Sequence, residues 1–86
     1  MSESISVIIP TYQHGSLLVN CLTSILNQTR PPDEIIVVDD GSTDDTAEKI
    51  KPFLDQVTYV YQENQGAAAA RMAGFDLSKG SLLLFL

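Results

Sequence analysis

The chain predicts an α/β fold, a mainly parallel sheet covered by helices on both faces, and three observations carry that expectation. Short β-branched runs alternate with segments of helical period, the connections are a few residues long, and the first two runs are apolar throughout. Continuous apolar runs are what strands buried on both faces require, and alternation with helices is how parallel strands are joined. Right-handed crossovers are then expected.

Ile5 to Pro10 (ISVIIP) is β-branched and closed by proline, so it reads as the first strand. After a polar turn through Gln13, His14 and Gly15, apolar residues recur at Leu17, Leu18, Cys21, Leu22, Ile25 and Leu26, the rhythm of a helix with one buried face. Ser16 is placed to cap that helix, and Pro31-Pro32 forbids its continuation. Ile35 to Val38 is a second buried strand, ending in Asp39-Asp40. Gly41-Ser42 then turns the chain into Ser42-Thr43-Asp44-Asp45, a capping signature that predicts a helix from near Thr43 to near Pro52. Val57 to Tyr61 forms a third strand. Gly66 to Leu77 is alanine-rich and helical, with Gly80 placed to stop it, and Ser81 to Leu86 opens a fourth strand.

At 86 residues the chain fits one small unit that buries about 60% of its unfolded surface, so its stability is expected to be marginal. An apolar fraction of 44% and a charged fraction of 19% are those of an ordinary globular protein. The net charge of −6 comes from 11 acidic and 5 scattered basic residues, which argues against nucleic acid as a partner, because duplex binding needs grouped cations. A nucleotide whose charge is met by a metal ion is compatible with it. The single cysteine, Cys21, sits in the apolar helical pattern and reads as a reduced core thiol, without a disulfide framework or zinc spacing. Met1-Ser2-Glu3-Ser4 lacks a basic leader region, and no apolar stretch approaches the roughly 18 residues of a membrane span, so a cytoplasmic location is expected.

In open parallel sheets ligands bind beyond the carboxyl ends of the strands, which points to the segments after Pro10, Asp39 and Tyr61. Asp39 and Asp40 are adjacent carboxylates at a strand end, where they repel unless something binds them. Asp40 stands equally well as a helix cap, whereas Asp39, directly after the apolar run, is the stronger functional candidate. An ionised carboxylate only accepts hydrogen bonds, which suits it to a base N–H or a ribose hydroxyl. Thr11 and Tyr12 reach the same rim, the tyrosine offering a flat face for stacking. Arg71, the one cation in the alanine-rich helix, is either solvated or a fork aimed at carbonyl or phosphate oxygens. His14, the only histidine, reads as solvated, and no nucleophile elbow accompanies it. Dinucleotide and P-loop glycine patterns are absent, and the stretch from Asp39 to Asp45 lacks the spacing of a calcium loop.

Four motifs in order, SVIIPTY at 6–12, SILNQT at 24–29, EIIVVDDGSTD at 34–44 and AARMAG at 69–74, resemble the N-terminal half of the family 2 glycosyltransferases. The resemblance covers nearly the whole chain. It implies the N-terminal half of a GT-A fold, a Rossmann-like three-layer sandwich spanning residues 1–86. It also implies binding of a nucleotide-diphosphate sugar, expected to be a UDP-sugar, and transfer with inversion to a hydroxyl of a saccharide, lipid or other acceptor. By the same resemblance, Pro10, Thr11 and Tyr12 line the base pocket, Asp39 accepts a hydrogen bond from the base, and Arg71 faces the nucleotide, with Asp40 beside them. Two positions depart from the family pattern, Gln13 and Met72, where asparagine is the usual residue; either change would alter nucleotide or sugar preference.

Beyond a strand like Ser81 to Leu86 the family continues with an Asp-x-Asp motif that holds a divalent Mg or Mn ion, and later with a catalytic base. The expectation is therefore a chain without catalytic or metal-binding residues of its own, inactive alone, from a parent enzyme that could work at a membrane surface. The apolar end Leu82-Leu83-Leu84-Phe85-Leu86 is expected to promote self-association. Two other readings compete: a non-catalytic nucleotide-binding or assembly module, and a phosphoacceptor receiver, whose first strand also ends in an acidic pair like Val37-Val38-Asp39-Asp40. The receiver leaves the strand and helix before Glu34 unexplained.

Overall fold

Parallel strands cannot be joined by tight hairpins, so each neighbouring pair needs a crossover. The computed structural model, which describes residues 4–80 and 82–85, has three of them. Strand β1 (Ile5–Thr11) leads to helix α1 (Gly15–Leu26), β2 (Glu34–Asp40) to α2 (Thr46–Ile50) and a 3-10 turn (Lys51–Phe53), and β3 (Thr58–Gln62) to α3 (Ala67–Leu77) and β4 (Leu82–Phe85). The four strands form one parallel sheet in the order β3-β2-β1-β4. After stepping outward from β1 to β3, the chain crosses back to the far side of β1, and the strand order reverses there.

Alternation along the strands builds the three layers. Val7, Ile9, Ile35 and Val37 pack on one face against Leu18, Leu22 and Ile25 of α1 and Ile50 of α2. Ile36 and Val38 face the other way, against Ala70 of α3. The small residues of α3 let it lie close to the sheet: a Cβ added at Gly74 would stand 2.3 Å from the Ile8 side chain. Cys21 is half-buried beside the α1 core, and burial pushes its thiol pKa up, as a core thiol requires.

Several local expectations need correcting. Helix α2 starts at Thr46, because residues 42–45 are used in a loop. There Asp44 Oδ1 accepts from the backbone N–H of Thr46 at 3.0 Å and from its hydroxyl. The helix ends at Ile50, and Pro52 sits in the 3-10 turn that follows, at a position where no N–H is needed. Ser16 caps nothing; it lies inside the first turn of α1 and accepts from Lys49 Nζ at 2.6 Å. Helix α3 stops at Leu77 without help from Gly80. Gly80 is instead needed for close packing, since its N–H donates to Ser6 Oγ at 2.9 Å and a Cβ there would meet that oxygen at 2.3 Å. Strand β2 continues through both aspartates instead of stopping before them, and β3 is shifted to Thr58–Gln62. The fourth strand pairs with Ile5 to Ile8; Ser81 and Leu86 lie outside the described residues.

Candidate functional site

Because β2 runs through Asp40, its two aspartates obey strand alternation and point to opposite faces of the sheet. Asp39 follows Ile35 and Val37 to the α1 side. There it is completely buried: Oδ1 accepts from the Ser42 N–H at 2.9 Å and Oδ2 from the Tyr59 hydroxyl at 2.5 Å. Burial, and then the neighbouring carboxylate, raise the pKa of Tyr59 well above that of an ordinary phenol.

Asp40 follows Ile36 and Val38 to the α3 side. Its Oδ1 accepts from Gln62 Nε2 at 2.9 Å and from the Gln65 N–H at 2.8 Å, and its Oδ2 from the Gly66 N–H at 2.9 Å. The Gln62 bond, with those backbone donors, holds its pKa below the usual carboxylate value against a smaller desolvation effect. The carbonyl of the same residue accepts from Asn64 Nδ2 at 3.0 Å. Asp40 thereby fixes the β3–α3 loop. The β2–α2 loop presses against that loop at Gly41, whose φ is +86° and where a Cβ would meet the Asn64 nitrogen at 2.8 Å.

Between the end of β1 and the start of α3 lies an open groove of about 270 Å³ walled by Pro10, Thr11, Tyr12, Asp40, Ala70 and Arg71. Five of the six residues singled out from the sequence meet here: Pro10, Thr11, Tyr12, Asp40 and Arg71. Asp39 does not. Tyr12 is 48% exposed, and Arg71 is exposed and in no ion pair among the described residues. The groove therefore offers a flat aromatic face, an ionised and rigidly held acceptor and a cationic fork. His14 stands exposed before α1, at the edge of an apolar hollow of about 210 Å³ lined by Ile9, Leu17, Leu18 and Cys21, and Pro10, Thr11 and Tyr12 border this hollow as well as the groove.

The residues that hold this geometry, Gln13, Ser42, Gln62 and Gly66, were not read from the sequence as site residues, because each acts through a contact between loops distant in the chain. In the sequence Gln13 stands out only as a departure from a family pattern. Its amide turns to the loop after β2, where Oε1 accepts from the N–H groups of Thr43 and Asp44. Met72, the other departure, is exposed on the outer side of α3.

Among the described residues no group of three or more His, Cys, Asp or Glu side chains is gathered to hold a metal ion. The adjacent aspartates do not converge on one, since strand alternation turns them to opposite faces of the sheet.

The sequence model described as "Glycosyl transferase family 2" matches residues 6–86. Among curated relatives, glycosyltransferase GlyG of Streptococcus pneumoniae serotype 4 is 46% identical over 87 residues, which is 96% of this chain and 29% of that protein. Validoxylamine A glucosyltransferase of Streptomyces hygroscopicus subsp. limoneus is 41% identical over 88 residues, 95% of this chain and 19% of that protein. This chain thus spans less than a third of the length of either. Among solved structures, mannosyltransferase PcManGT from Pyrobaculum calidifontis, in complex with GDP-Man and Mn2+, superposes with a TM-score of 0.87 at 28% identity over 96% of this chain and 26% of that one. Glucosyl-3-phosphoglycerate synthase from Mycobacterium tuberculosis, in complex with Mn2+ and UDP, shares the fold with a TM-score of 0.82 at 23% identity, over 99% of this chain and 33% of that one. The match from residue 6 onward includes the strand and helix that a receiver reading leaves out.

Proposed function

The chain belongs to glycosyl transferase family 2, and on that premise we propose that its groove binds the nucleotide of a nucleotide-diphosphate sugar, the donor for transfer to an acceptor hydroxyl. One observation carries this reading: the exposed Tyr12 ring, the fixed Asp40 carboxylate and the Arg71 guanidinium line a single groove at the carboxyl ends of the strands. Tyr12 stacks on the base, Asp40 accepts a base N–H, and Arg71 donates to carbonyl or phosphate oxygens. Asp40 takes the role that the resemblance gave to Asp39, because Asp40, though only 5% exposed, borders the groove, whereas Asp39 is 0% exposed and does not.

A uracil base fits this set, with one imide N–H for Asp40 flanked by two carbonyl acceptors for a cationic donor. The related structures hold GDP-Man in one case and UDP in another, so the base is a matter for experiment. In the parent enzyme the transfer would join an acceptor oxygen to the anomeric carbon, with inversion, as the bond to the nucleoside diphosphate breaks and the acceptor's hydroxyl proton passes to a base. The groove's part in that reaction is to hold and orient the donor. A divalent ion that neutralises the diphosphate would be held by residues other than those described here. The chain by itself is expected to bind but not to transfer, and sugar transfer by the purified chain would overturn that. Self-association through the outer edge of β4, where Leu84 is 46% exposed, is a further expectation; sedimentation as a monomer at high concentration would count against it.

The test is calorimetric titration with UDP, GDP and inorganic pyrophosphate. UDP is expected to bind more tightly than the other two, and Asp40→Asn to weaken it by about tenfold or more by removing a charge-assisted hydrogen bond. Equal affinity for UDP and pyrophosphate would show that no base is read.

A further inference from the structure

Gln13 is the one non-glycine residue with positive φ among the described residues, at 58°. Glutamine disfavours that backbone region, so something must hold it there. Its own side chain does. Oε1 accepts from the N–H of Thr43 at 2.7 Å and of Asp44 at 3.0 Å, Nε2 donates to Thr43 Oγ1 at 3.0 Å, and the Gln13 N–H donates to Ser42 Oγ at 2.8 Å. These four bonds tie the residue after Tyr12 to the loop after Asp40. That loop is anchored in turn, since the Ser42 N–H rests on buried Asp39 and the Tyr61 hydroxyl reaches the Ser42 carbonyl at 3.4 Å.

Tyr12 has no such anchor. The residue is 48% exposed and, among the described residues, its hydroxyl has no hydrogen-bond partner. The ring's place at the groove is therefore set by the backbone that carries it, and that backbone is held by Gln13. We propose that Gln13 is a positioning residue, which clamps the β1–α1 loop so that Tyr12 presents its face to the nucleotide base without Gln13 touching the nucleotide. This inference rests on the reading of the groove as a nucleotide site.

A double-mutant cycle separates positioning from general stabilisation. Against UDP, Gln13→Ala is expected to lose about tenfold in affinity, within the range that removal of an aromatic stack produces. Gln13→Gly, which relieves the backbone but also lacks the clamp, is expected to lose as much. In a Tyr12→Ala background the Gln13→Ala change should cost nothing further; additive losses would overturn the positioning role. In the free protein, the backbone amides of Thr43 and Asp44 are expected to exchange hydrogen faster in Gln13→Ala than in the wild type. Unchanged exchange would sink the clamp alone, whereas a wild-type chain that binds no UDP would sink the groove reading and the positioning role with it.

Discussion

Asp39 and Asp40 are chemically identical neighbours on one strand, and the sheet sends them to different environments. Asp39 is sealed on the α1 side between a backbone N–H and a tyrosine hydroxyl. Asp40 is held as firmly by three donors on the α3 side, yet it lines an open groove with Tyr12 and Arg71. Hydrogen bonding therefore does not tell a sealed carboxylate from one that borders a groove. The face of the sheet does, because Asp39 is covered completely on the α1 side while Asp40 borders the groove at the start of α3.

The largest expected effect breaks the pair apart on stability. Asp39→Ala removes a fully buried carboxylate and leaves the half-buried Tyr59 hydroxyl and Ser42 N–H without it, and should cost about 2–3 kcal/mol. A chain this small would be largely unfolded by such a loss. Asp40→Asn keeps an acceptor oxygen at the groove and should cost clearly less, by urea unfolding of the two variants side by side. Equal destabilisation would erase the contrast between the two faces.

A smaller change sharpens it. Tyr59→Phe removes one donor from Asp39 and keeps the ring in the core, so about 1–2 kcal/mol should be lost. UDP affinity at a temperature where the variant stays folded should fall little, because the ring lies on the face away from the groove. A large loss of UDP binding in folded Tyr59→Phe would mean that the Asp39 side takes part in recognition.

The contrast was only partly legible in the sequence. The order of strands and helices could be read from apolar runs and helical spacing, because both follow from burial of one face or two. Asp39 does not join Tyr12 and Arg71 for a physical reason: which side of β2 faces the groove depends on α3 crossing to the opposite layer from α1. Strand alternation says that Asp39 and Asp40 diverge, but only the topology says which one meets Tyr12 and Arg71. The capping signature at residues 42–45 misled for a related reason, since those polar groups serve the contact with Gln13 as well as the helix. Gly80 looked like a helix stop and is a packing contact with Ser6, 74 residues away in sequence.

The smallest expected effect is a pH dependence confined to the open face. The donors around Asp40 depress its folded pKa below its unfolded value, so the stability it contributes is fully present above the unfolded carboxylate pKa, roughly 3.9. That contribution is lost as pH falls through the folded pKa, when a proton must displace the hydrogen bonds from Gln62, Gln65 and Gly66. An asparagine at this position does not titrate. The stability difference between the wild type and Asp40→Asn, from urea midpoints, should therefore be constant from about pH 7 to pH 5 and shrink below about pH 4. UDP affinity of the wild type should fall over the same acid range while that of the variant stays flat. A difference that does not change with pH would mean that the Asp40 hydrogen bonds do not favour the charged form, and the groove would lose its ionised acceptor.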